Sequence, residues 1–177
     1  MVGEMTALVV APDTYNWIAC DAGTDRSAWH QRLRRFFDYW LSIRPESGAL
    51  PGRQHFDPLP LFDVMPYVWM LDVERSPLRF RYRLAGTREV QTLEREVTGQ
   101  YLDDVHPRLK ESAEHLDRFV RMAEKGCATY RKGRVRFRHD KLHQMVENCI
   151  VPFARDGETV DMLVACSIPY DLDGRAY

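Results

Sequence analysis

The chain has 177 residues, 45% hydrophobic and 11% aromatic with four Trp, which is enough apolar surface for a packed interior and argues against a wholly disordered chain. A net charge of −1, from 25 Lys+Arg against 26 Asp+Glu, sets up no global field toward nucleic acid or an anionic membrane. Apolar runs such as 7–11 and 162–166 fall far short of the roughly twenty residues a membrane helix needs, and Met1-Val2-Gly3-Glu4 opens no signal peptide, so the expectation is a cytoplasmic protein outside the membrane.

Residues 1–24 read as an irregular lead-in, broken by Pro12, Asp13, Asn16 and Gly23. From Asp25 to Pro45, Trp29, Leu33, Phe36, Phe37 and Trp40 recur at three- and four-residue steps with arginines between them, the pattern of an amphipathic helix. Residues 46–65 are rich in Pro and form a turn-rich connector, with a short helix expected within Asp57–Met65. Tyr67–Val73 and Leu78–Leu84 then alternate, Phe80, Tyr82 and Leu84 against Arg79, Arg81 and Arg83, and predict a hairpin.

A short helix follows Gly86-Thr87, with Val90 and Leu93 apolar, and a helical turn spans Tyr101–Val105. Arg108–Lys125 reads as one longer helix closed by Gly126. Three strands complete the pattern, within 128–138, 143–154 and 159–169, the last two joined by the turn Arg155-Asp156-Gly157-Glu158. Hairpins at both ends of a helical middle predict an α+β fold, an antiparallel sheet with helices on one face. The core is placed at 66–170 and the tail at 171–177.

That order is similar to a PAS domain, whose five-stranded antiparallel sheet carries helices on one face. Arg81-Tyr82-Arg83-Leu84-Ala85-Gly86-Thr87 and Thr98-Gly99-Gln100-Tyr101-Leu102-Asp103-Asp104 resemble segments of a PAS subfamily found in short alphaproteobacterial proteins. Leu50-Pro51-Gly52-Arg53 with Phe56-Asp57-Pro58 resembles its entry segment. The charged Leu93-Glu94-Arg95-Glu96 departs from the glycine-containing turn of many relatives. The resemblance implies a regulatory module that senses a small molecule or signals by association, and it implies no enzyme; the alternative is a structural adaptor with a filled core.

Candidate pocket residues are Trp69, Leu71, Tyr82, Leu84, Val90, Leu93, Leu116, Phe137, Cys149 and Met162, aromatic and sulfur-bearing side chains that suit a small apolar ligand. The stripe of Trp29, Leu33, Phe36, Phe37 and Trp40 exceeds what one helix needs to lie on a sheet and predicts a homodimer. Only residues 170–177 follow Pro169, so output is expected to pass through a separate partner protein.

The four cysteines, Cys20, Cys127, Cys149 and Cys166, lack the spacing of a metal site and read as buried thiols. With no Cys in 87–125, cysteinyl-flavin photochemistry is not expected; non-covalent flavin stays open, and His115 is the axial candidate for a haem. A weaker enzymatic reading would use Asp103, Asp104 or His106. The arginine rows 79/81/83 and 134/136/138 suggest an anionic partner surface at two sheet edges, without the interleaved aromatics of a nucleic-acid binder.

Overall fold

The computed structural model describes residues 17–134 and 145–177. Helix α1 (Gln31–Ser42) starts where the imidazole of His30 accepts a hydrogen bond from the Arg32 amide, so an unusual N-cap supplies one of the acceptors that the first turn lacks. The expected helix over 108–125 divides into a 3-10 turn (Pro107–Lys110) and α4 (Ala113–Lys125). Ser112 causes the break, because its hydroxyl accepts from the Glu114 amide and so opens a new helix. Gly126 closes α4 in the left-handed region, at φ 62°.

Strands β2 (Val68–Glu74) and β3 (Arg79–Ala85) form the expected hairpin. Gly86 after it has ordinary backbone angles; its role is close approach, since a Cβ there would sit 2.5 Å from the Pro66 carbonyl oxygen. Helices α2 (Thr87–Leu93) and α3 (Leu102–Val105) follow, and after α4 come β4 (Ala128–Arg134), β5 (Met145–Phe153) and β6 (Met162–Tyr170). The sheet is antiparallel, as expected, but has six strands among the described residues, in the order β1-β4-β5-β6-β2-β3.

The added strand, β1 (Trp17–Cys20), comes from the segment expected to be irregular and pairs along β4 from Trp17↔Arg131 to Cys20↔Ala128. Its burial runs buried, exposed, exposed, buried, so no alternation marks it in sequence. With β1 beside it, β4 is not a sheet edge, which corrects the expectation of an arginine row at each edge. Arg134 ends β4, and Arg136, Arg138 and the candidate pocket residue Phe137 lie outside the described residues. On the β3 edge Arg79 pairs with Asp103 at 2.8 Å, Arg81 with Glu74 at 2.8 Å and Arg83 with Asp72 at 2.6 Å. Carboxylates of β2 and, for Arg79, of α3 thus match that row instead of leaving it open to an anionic partner.

Both faces of the sheet are covered. Thr129 and Tyr130 are consecutive in β4 and point to opposite faces. Thr129 meets Arg118 of α4, whereas Tyr130 stacks on Trp29 beside α1, ring centroids 4.1 Å apart and planes 5° from parallel. Helix α1 therefore lies across one face and α2 to α4 cover the other.

This placement corrects the proposed dimer stripe. Trp29, Leu33, Phe36, Phe37 and Trp40 are all buried within their own chain, none more than 6% exposed. Trp40 donates its indole N–H to the Pro152 carbonyl at 3.0 Å. The excess of aromatic surface reflects the width of a sheet whose α1 face is itself aromatic and aliphatic, so these side chains are not available to a second subunit.

Candidate functional site

A cavity of about 160 Å³ lies between the sheet and helices α2 to α4. Trp69, Phe119, Leu93 and Ile150 give it apolar walls, and every strand contributes at least one lining residue, from Trp17 on β1 to Tyr82 on β3. The Tyr82 hydroxyl stands 3.2 Å from Nε2 of His106, the residue that ends α3. Burial pushes the Tyr82 phenol up, so it stays protonated.

Beside the Tyr82–His106 pair, two buried polar clusters face this space, around Arg118 and around Asn148. On the helix side Arg118 is 9% exposed, and its Nε and one Nη donate to the Thr129 hydroxyl at 2.8 Å and to the Thr129 carbonyl at 3.3 Å. The Thr129 hydroxyl in turn donates to Met122 Sδ at 3.2 Å. Burial, with a contribution from nearby Arg131, brings the guanidinium down to about 9, so it remains charged at neutral pH. Among the described residues it forms no ion pair with a carboxylate.

On the sheet side the Ser167 hydroxyl accepts from the Trp69 indole N–H at 2.8 Å and from Asn148 Nδ2 at 3.1 Å. Asn148 is 7% exposed, and among the described residues its Oδ1 has no hydrogen-bond partner. A buried acceptor left open costs free energy that a bound donor would return.

Of the expected pocket residues, Trp69, Tyr82 and Leu93 line the cavity. Leu71 is fully buried but lies outside the lining, and Val90 and Leu116 are half-buried beside it. Leu84, past the irregularity between Met70 and Leu71, is 36% exposed. Cys149 and Met162 are corrections: Cys149 pairs in register with Tyr130, the partner of Trp29, and Met162 with Phe153, so both belong to the α1 face.

His115 lines the cavity with Nδ1 hydrogen-bonded at the Arg108 carbonyl. The cavity is well below the roughly 300–1,000 Å³ of sites for drug-sized ligands, so a haem or flavin does not fit it as it stands. Asp103 and Asp104 are engaged by Arg79 and Lys110 at the β3 edge and do not line the cavity. The cysteines form no disulfide, and burial pushes the Cys20 thiol up to about 12 and raises those of Cys149 and Cys166 as well.

Arg118, Asn148 and Ser167 were not among the expected site residues. Asn148 and Ser167 carry a signal, a polar residue within a strand otherwise mostly buried and apolar, whereas Arg118, beside Asp117 in a charged helix, carries only its position next to Phe119 and four before Met122.

Residues 28–166, more than half of the chain, match the family of the PAS domain. The chain belongs to the PAS domain family. No curated protein and no solved structure matches it. In this PAS domain the sheet and helices α2 to α4 enclose the cavity, and β1, which extends the sheet beyond β4, adds Trp17 to its lining. PAS domains are sensory or regulatory modules and as a rule not catalysts. Among the described residues no helix is long and apolar enough to cross a membrane, and no group of three or more metal-ligating side chains gathers.

Proposed function

We propose that this PAS domain is a sensor that binds a small molecule in the cavity and passes its occupancy to a separate output protein. The observation that carries the reading is a packed, apolar cavity into which a charged guanidinium and an unsatisfied amide oxygen project. A filled core selected only for packing gains nothing from either group. The resemblance of segments 81–87 and 98–104 supports, on the same reading, membership of the alphaproteobacterial subfamily.

A route outward is built into β5. Asn148 faces the cavity, and the preceding residue, Glu147, faces α1 and is fully buried. The Glu147 carboxylate accepts from the His30 amide at 2.6 Å and the Tyr170 hydroxyl at 2.5 Å and pairs with Lys132 at 3.3 Å. A shift of β5 on ligand binding therefore moves the anchor of the α1 N-terminus, where a carboxylate also meets the helix dipole favourably.

Thermal shift against a metabolite library tests the reading, because a ligand that binds only the folded state raises Tm in proportion to the logarithm of its concentration. A response in the wild type that Ser167→Phe abolishes, by filling the cavity, supports a sensor. Absence of any response refutes it.

The adaptor reading draws on Leu59 and Phe62, which are 76% and 74% exposed beside α1, where Arg35 donates to the Pro60 carbonyl. It predicts that Phe62→Ser abolishes partner capture while the cavity binds nothing.

A further inference from the structure

We propose that the cavity takes a single-ring organic carboxylate, its anionic group on Arg118 and a hydroxyl or amino hydrogen at its far end donated to Asn148 Oδ1. The inference rests on the sensor reading above and names the ligand class for that site.

Charge comes first. Arg118 projects from the apolar side of α4 and is more than nine-tenths buried, yet its protein partners are the neutral oxygens of Thr129. Nη1 has no acceptor among the described residues. A buried charge without a counter-charge is unfavourable, and a carboxylate meets a guanidinium in the planar geometry that gives two charge-assisted hydrogen bonds. The carboxylates that also line the cavity, Glu89 and Glu114, are less buried than Arg118, so the cation holds the interior and the acids lie toward the outside.

Size and spacing follow. A volume of about 160 Å³ is close to the about 150 Å³ of an apolar cavity that holds benzene, so one ring fits and two do not. Thr129, which anchors the guanidinium, pairs with Ile150, and Asn148 lies two residues along β5. Two residues span about 7 Å of strand, the length of a ring substituted at both ends. Asn148 Oδ1, an acceptor without a donor, then selects a substituent that carries hydrogen.

The probe is 4-hydroxybenzoate, with 4-hydroxybenzamide as its neutral isostere, benzoate as the analogue without the donor and 6-hydroxy-2-naphthoate as the two-ring control, each titrated into the full chain by calorimetry. The expected order is 4-hydroxybenzoate tightest, with the amide and benzoate each weaker by roughly tenfold or more and the naphthoate not binding. Arg118→Met should remove the preference for carboxylate over amide, and Asn148→Leu the preference for the hydroxyl, while both variants keep the wild-type circular dichroism. Should either fail to fold, Arg118→Gln, which removes the charge, and Asn148→Ala, which removes the acceptor, provide the same comparison. Equal binding of acid and amide, or binding of the naphthoate instead, overturns the ligand class and leaves the sensor reading standing. No binding by any of the four overturns the ligand class as well, and the sensor reading then stands or falls on the metabolite library.

Discussion

The two faces of the sheet differ in how they treat their buried charge, Glu147 on one and Arg118 on the other. On the α1 face the fully buried Glu147 has a backbone amide, a phenol and a lysine around it, and the Trp40 indole N–H finds a carbonyl. On the other face Arg118 has only neutral partners and Asn148 Oδ1 has none among the described residues. Around Glu147 the first arrangement is complete within the chain and holds α1 in place, although Arg32 Nε on α1 is buried without a hydrogen-bond partner among the described residues. On the proposed reading the second is completed by a ligand, and that difference would separate the scaffold of this PAS domain from its receptor surface.

The contrast can be broken from either side. Trp40→Glu would bury an unpaired carboxylate under α1 and should abolish the folded state. Equilibrium sedimentation checks this against the stripe as a subunit interface: a folded Trp40→Glu monomer derived from a wild-type dimer would contradict the packing described for α1. Glu147→Leu should be next in size, costing about 3–5 kcal/mol in urea unfolding, because the groups around the carboxylate lose their acceptor.

Arg118→Met sharpens the comparison. Without ligand it should cost no more than about 1 kcal/mol or even stabilise, since a cation without a counter-charge is exchanged for an apolar side chain of similar reach. Thr129 keeps its bond to Met122 Sδ. A loss as large as that of Glu147→Leu would mean that the two faces do not differ.

The smallest effect concerns pH. His30 must be neutral at Nδ1 to cap α1, and burial, aided by nearby cations and opposed by Glu147, holds its imidazole below the ordinary 6.5. The unfolded chain therefore takes up the proton first. Stability should fall as pH drops below 6.5 and level off beneath the folded value. His30→Asn, which caps without titrating, should flatten the Tm profile in that window; an unchanged profile would remove His30 from the account.

Much of the scaffold was legible in the sequence. The arginine/aromatic alternation of 79–84 marked β3, the stripe from Trp29 to Trp40 marked α1, and Gly126 marked the end of α4. The assignment of faces was not legible, because β5 and β6 are buried on both sides and period-two alternation then separates apolar from apolar. Cys149 and Met162 were placed in the pocket for that reason. Arg118 was hidden by its charged surroundings: beside Asp117 it reads as a solvated helix position, and only the docking of α4 on Thr129 buries it. Strand β1 lacks any periodic signal of its own and exists through its pairing with β4.

Native mass spectrometry of the freshly purified chain tests the central claim, that one face of the sheet is completed from outside. The account predicts one small molecule per chain, lost on denaturation and absent from Ser167→Phe. A bare chain mass, together with no stabilisation by any member of the metabolite library, would contradict it.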